Sequence, residues 1–177
     1  MIQEAAKFAQ RAHEGAVRKG SQIPYIYHPM EVALIAAQMT RDEEVIAAAY
    51  LHDVLEDTGT TPEELEAAFG SRVTELVKAE TEDKSRSWQE RKGNTIRHLR
   101  EASREVKILT LADKLSNMRC TARDYMVVGD EIWQRFHEKR REYHQWYLEG
   151  ILDALSDLSE YPAYQELLNL YEFVYGA

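Results

Sequence analysis

His52 and Asp53 stand side by side at the end of the apolar run Ala47-Ala48-Ala49-Tyr50-Leu51, with His28 upstream in Tyr27-His28-Pro29 and Asp113 downstream in Leu111-Ala112-Asp113-Lys114-Leu115. Two imidazoles and two carboxylates form a set of N and O donors suited to one divalent first-row ion such as manganese, iron or zinc. In a helix, His52 and Asp53 would differ by about 100° in direction, so both side chains could reach an ion at the helix flank. A histidine beside an aspartate can also be no more than a hydrogen-bonded pair, but four donors in this order lack a joint explanation of that kind. Glu56 and Asp57 follow at the i+4 spacing that stacks side chains along one helix face. A carboxylate beside a metal can serve as general acid or base; the competing reading of this pair is a solvated helix end.

The elements that must carry these donors read as helices. Glycine and proline are scarce, 8 and 4 in 177 residues, and apolar residues recur at spacings of three and four, so the fold class is all-α. A first helix carries Ala5, Phe8, Ala9 and Ala12 and fades near Gly15. Pro29 is expected to open a second, which turns Met30, Ala33, Ala37, Val32 and Ile35 inward, and a third is expected from about Asp42 through Leu55. Thr61-Pro62-Glu63-Glu64 has the signature of a capped start for a short helix ending before Gly70, after which Ser71 is the expected cap of the next. A charged connector, Thr81 to Arg91, leads to a helix near Lys92 to Ala102. Ser103 is expected to cap the helix carrying Ile108, Leu111, Ala112 and Leu115, and two more helices are expected near Asp130 to Leu158 and Ala163 to Tyr175. His28 lies 24 residues before His52, room for one helix and a return, while Asp113 falls on a separate helix. Ligands from three helices would fasten a bundle at its centre. No repeat or Gly/Ser linker marks a boundary, so residues 1–177 read as a single compact helical domain.

Composition narrows the function classes. A formal charge of −9 argues against a general nucleic-acid surface, which needs a basic face to exchange for counterions. No stretch approaches the roughly 20 apolar residues of a membrane span. The one cysteine, Cys120, cannot form an internal bridge, and the first residues lack the features of a secretory signal, so a cytoplasmic location is expected. An anionic ligand must then be met locally, and Arg18, Lys19, Lys84, Arg86, Arg91, Lys92, Lys114 and Arg119 cluster around the motif segments. His13, His98 and His137 read as surface or hydrogen-bonded histidines, with His144 open. Tyr143, His144, Trp146 and Tyr147 form an aromatic group that is core in its plain reading, though one ring could stack on a base.

The ordered set His28, His52-Asp53, Asp113 resembles the signature of the HD-domain metallohydrolases. Pro24-Tyr25-Ile26-Tyr27-His28-Pro29, His52-Asp53-Val54-Leu55-Glu56-Asp57-Thr58, Thr81-Glu82-Asp83-Lys84 and Leu111-Ala112-Asp113-Lys114-Leu115-Ser116-Asn117-Met118-Arg119 are similar to the hydrolase domain of RelA/SpoT proteins. The likeness covers roughly residues 3 to 150 and is of the small stand-alone alarmone hydrolase type. It implies an HD-type helical bundle, one divalent ion that is usually Mn²⁺, and hydrolysis of the 3′-pyrophosphate from guanosine 3′,5′-bis(diphosphate), a small-molecule nucleotide. By the same resemblance His28, His52, Asp53 and Asp113 are metal ligands, and Glu56 and Asp57 activate or orient water. Arg18, Lys19, Asn117 and Tyr143 contact substrate. Ile23, Ser116 and His144 depart from the family's usual residues near the base and ribose. The residues leave two rivals: a phosphohydrolase of another nucleotide, including a reduced nicotinamide dinucleotide phosphate, and a helical binding module with a structural ion.

Overall fold

In the computed structural model, which describes residues 1–176, the described residues form helices and no strand; one isolated antiparallel bridge joins Val17 to Pro24. The chain divides into two units, residues 1–81 with 104–113, and residues 82–103 with Lys114 onward.

The first unit is built on α1 (Ile2–Ala12), α2 (Tyr27–Met39), α3 (Glu43–Leu51), α4 (Val54–Asp57), α5 (Pro62–Phe69) and α6 (Ser71–Glu80). Helix α3 is its centre. Val45, Ala47, Ala48, Ala49 and Leu51 are fully buried, and α1, α2 and α6 all pack against it. A helix apolar all round must be covered all round, and its three consecutive alanines let the neighbouring backbones come close. Asp42 caps α3 by accepting the Glu44 N–H, while Arg72 from the first turn of α6 pairs with Asp42 and Glu44. The capping box at Thr61 and Glu64 forms as expected.

Four expectations for this unit need correction. In α2, Val32, Ala33 and Ile35 are buried, but Met30 and Ala37, expected inward, are exposed because the buried face runs through Val32, Ile35, Ala36 and Met39. Helix α2 opens at Tyr27, so His28 already lies in its first turn, where Pro29 is tolerated because its missing N–H has no helical partner anyway. Gly70, not Ser71, occupies the cap position before α6, at a left-handed φ of +86° that suits glycine. The expected single helix from Asp42 to Leu55 is interrupted at His52-Asp53, between α3 and α4. The His52 side chain explains the break. Its Nδ1 lies 2.9 Å from the Ala49 carbonyl oxygen, the acceptor that an unbroken helix would reserve for the Asp53 N–H.

The second unit holds α7 (Trp88–Glu101), α9 (Arg141–Ala154) and α10 (Pro162–Tyr175), with 3₁₀ turns over Gly129–Arg135 and Ser156–Leu158. Helix α8 (Arg104–Val128) starts immediately after Ser103 and supplies residues to both units. Helix α7 begins four residues earlier than expected, because Ser87 and Glu90 form a reciprocal capping box inside the charged connector. The helix expected from Asp130 to Leu158 is divided. Asp130 accepts from Trp133 Nε1, and Glu138 accepts from the Arg140 backbone N–H and guanidinium, so local side-chain bonds displace the helical ladder over the intervening segment. Gly150 permits the close packing of α9 on α7: a Cβ there would lie 2.4 Å from Ile96 Cδ1. His144 belongs to an aromatic cluster, stacked on Trp133 at 5.3 Å with a ring nitrogen 2.7 Å from the Glu138 carbonyl oxygen.

Candidate metal centre

Three candidate ligand residues converge inside the first unit. His28 comes from the first turn of α2, His52 from the end of α3 and Asp113 from α8; their exposures are 4, 2 and 6 %. One donor atom of each lies within 4.8 Å of the others. His28 Nε2 is 3.1 Å from Asp113 Oδ1, and His52 Nε2 is 3.5 Å from the same oxygen. Donors sharing one ion at ~2.1 Å can be at most about 4.2 Å apart, so small side-chain shifts would bring all three onto it. Asp53 stands at the edge of this trio, its Oδ2 3.0 Å from His52 Nε2 and 3.6 Å from His28 Nε2.

The donor chemistry fits a metal. His52 Nε2 is buried and makes no hydrogen bond of acceptable geometry, while Nδ1 faces the Ala49 carbonyl. With Nδ1 as the donor, the neutral ring presents its lone pair at Nε2 toward the carboxylates. Burial alone would lower the His52 pKa, but the charges of Asp53 and Asp113 outweigh it and hold the ring well above the usual imidazole range. Burial would raise Asp53; the His52 imidazole reverses that and keeps the carboxyl below the usual carboxylate range.

Glu56 and Asp57 sit in α4, half-buried and exposed respectively, and the Asp57 N–H donates to the Asp53 carbonyl at 2.9 Å. The turn at His52-Asp53 therefore leaves the two carboxylates one short helical turn from the ligand pair. Arg18 and Lys19 lie in the loop between α1 and α2, closed by the Val17–Pro24 bridge and by Arg18 N–H to Ile23 O at 2.8 Å. Asn117 and Tyr143 belong to the second unit. Asn117 is half-buried, four residues beyond Asp113 in the same helix, and the Tyr143 ring carries the Arg140 guanidinium 3.7 Å above it.

Several cations expected to await phosphate already face carboxylates. Within the second unit, Glu82 takes Lys92 Nζ at 2.7 Å and Arg91 Nη1 at 3.1 Å, and Glu166 takes Arg119 through two bonds of 2.6 and 2.7 Å. Arg86 pairs with Asp83. His98 and His137 are exposed, but His13 is a correction: it is 95 % buried, its Nε2 makes no hydrogen bond, and burial lowers its pKa.

Tyr25 is the residue the sequence motifs contain without revealing. Its hydroxyl donates to Asp53 Oδ2 at 2.6 Å and lies 3.4 Å from Asp57 Oδ2. Burial, then the Asp53 charge, pushes its pKa up, which keeps the phenol a donor. The available signal was a tyrosine three residues before His28, a candidate ligand.

Known proteins resemble this chain in sequence and in fold. The HD domain profile matches residues 5–141. A guanosine-3′,5′-bis(diphosphate) 3′-pyrophosphohydrolase MESH1 of Xenopus tropicalis is 40 % identical over 149 residues, covering 82 % of this chain and 80 % of that protein. The human MESH1 is 39 % identical over 81 % of this chain and 78 % of its own. A solved structure described as a metazoan ortholog of SpoT that hydrolyses ppGpp superposes with a TM-score of 0.81 at 31 % identity, over 97 % of this chain and 93 % of that one. The chain belongs to the HD-domain family, among the relatives of MESH1 and SpoT.

Proposed function

We propose that this chain is a metal-dependent hydrolase that removes the 3′-pyrophosphate from guanosine 3′,5′-bis(diphosphate) or its pentaphosphate counterpart. The products are the guanosine 5′-di- or triphosphate and pyrophosphate. The observation that carries the reading is the buried trio His28, His52 and Asp113 with Asp53 at its edge and the Glu56-Asp57 turn directly after it. Relatives named for this reaction support it across most of the chain.

His28, His52, Asp53 and Asp113 hold one ion, for which we favour Mn²⁺. When bound, such an ion neutralises phosphoryl charge and makes water a stronger acid. Glu56 and Asp57 orient the attacking water and accept its proton. The water oxygen bonds to the phosphorus attached to the ribose 3′-oxygen, that P–O bond breaks, and the 3′-oxygen ends as a hydroxyl. Arg18 and Lys19 meet nucleotide phosphate, and Asn117 and Tyr143 contact the nucleoside. We assign residues 1–177 to one functional domain, supported by the unbroken course of α8 through both units. No helix among the described residues is long and apolar enough to cross a membrane, and we place the enzyme in the cytoplasm.

The test is to strip the protein of metal, reload it with Mn²⁺, and resolve the products from guanosine 3′,5′-bis(diphosphate). Guanosine diphosphate and pyrophosphate in equal amounts are expected. Retained Mn²⁺ without product would overturn the reading, and the reduced nicotinamide dinucleotide phosphate in the same assay identifies the rival substrate class.

A further inference from the structure

We propose that Tyr25 is a positioning residue of the metal centre: its hydroxyl sets the Asp53 carboxylate for the ion, and its ring ties that carboxylate to the Arg18 loop. The assignment rests on the hydrolase reading above. Tyr25 follows the Val17–Pro24 bridge, and its N–H donates to the Ala16 carbonyl at 2.9 Å, so its backbone is anchored to the loop. Its ring lies 4.8 Å from the His13 ring and 5.8 Å, edge-on, from the His28 ring. The Arg18 guanidinium is 5.5 Å from the ring centroid.

The hydroxyl has one proton and two carboxylates in range. At 2.6 Å against 3.4 Å it goes to Asp53, not to Asp57. A carboxylate with one oxygen held by a half-buried phenol cannot rotate freely away from His28 and His52, which its Oδ2 already approaches at 3.6 and 3.0 Å. Outer hydrogen bonds of this kind orient ligands, and their loss weakens metal binding by roughly 10–100-fold. The ring has a separate task. It is the face on which the Arg18 guanidinium rests, a contact the hydroxyl does not make.

The two functions separate by substitution in the full-length protein. Tyr25→Phe deletes the hydroxyl and keeps the ring; it should weaken Mn²⁺ binding about 10–100-fold by calorimetry, while KM at saturating Mn²⁺ stays within about twofold because uniform contacts to the nucleotide are kept. Tyr25→Leu should lose metal affinity to the same extent and raise KM as well. The Tyr25→Phe loss should persist in an Asp57→Ala background, since the hydroxyl acts through Asp53. Parent-like Mn²⁺ affinity in Tyr25→Phe overturns the assignment, as does a loss that vanishes once Asp57 is removed. A parent that binds Mn²⁺ yet leaves the nucleotide intact overturns the function while the Mn²⁺ comparison still decides the role of Tyr25. Melting curves of the metal-free proteins separate a general loss of fold, which would lower the Tyr25→Phe transition without Mn²⁺.

Discussion

Glu82→Ala should destabilise the second unit by a predictable amount. The Glu82 carboxylate is 13 % exposed and receives Lys92 Nζ at 2.7 Å, Arg91 Nη1 at 3.1 Å and Thr95 Oγ1 at 3.3 Å. Its removal leaves two cations, themselves only 19 and 21 % exposed, without the carboxylate that faces them. Breaking a buried pair from one side costs about 3–5 kcal/mol. Because both cations keep some contact with water, the lower end, ~3 kcal/mol, is the expectation. At about 2–4 °C per kcal/mol for a chain of this size, the melting temperature should fall by ~6–12 °C. Lys92 sharpens the effect, since burial and the neighbouring Lys114 already push its pKa down. The pH dependence has a definite sign. Burial would raise the Glu82 pKa, but Lys92 outweighs it and holds it below the ordinary 4.5. The contribution is therefore complete above pH 4.5 and disappears as pH falls through the lower folded-state value. Parent and variant melting curves should differ at neutrality and converge in acid. A shift below about 2 °C at pH 7, in a single cooperative transition, would refute the stated cost.

The other predictions concern the site. Asp53→Ala should release the ion, and unchanged metal occupancy under matched loading would remove Asp53 from the ligand set. Because an ion must displace the proton on His52, whose pKa lies well above 6.5, Mn²⁺ affinity should rise with pH from 6.5 upward, by about tenfold per unit while one proton leaves; calorimetry in buffers of different ionisation enthalpy counts that proton. Glu56→Ala and Asp57→Ala should lower kcat by roughly 10²-fold with metal content kept, and full activity in both would exclude them from the chemistry. Reversing Arg18 and Lys19 to glutamate should raise KM with little change in kcat. In the parent, kcat/KM should favour the guanosine over the adenosine bis(diphosphate), and equal values would contradict guanine selectivity.

Helix identity was legible where periodicity and punctuation agreed: α1, the Thr61 capping box and α10 lie close to their expected places. It failed where a side chain competed with the helical ladder. Nothing in the apolar run before His52 reveals that an imidazole will occupy the Ala49 carbonyl, and the charges from Asp130 to Arg140 conceal local bonds that divide one expected helix. Ser87 and Glu90 were legible as a capping box but were hidden inside a connector read by its charge. The convergence of His28, His52 and Asp113 was legible because metal chemistry admits few donor types. The basic residues could not be ranked, since a lysine that faces Glu82 and one that faces water look alike in sequence. Tyr25 and His13 escaped for a related reason: their roles exist only through neighbours distant along the chain.

The bond between His52 Nδ1 and the Ala49 carbonyl also bears on how the centre can change over time. Every residue type supplies that carbonyl, so no single codon change at position 49 deletes the group that aims the imidazole, although a bulkier side chain could displace it through crowding. Asp53 has no such protection, because its partner is the hydroxyl of Tyr25 and one nucleotide change can turn a tyrosine codon into one for phenylalanine. Of the two neighbouring side chains, one is held by the main chain and resists mutation, and the other is open to gradual adjustment. Natural variation in metal affinity among close homologues should therefore enter through Tyr25 and Asp53 before it enters through His52.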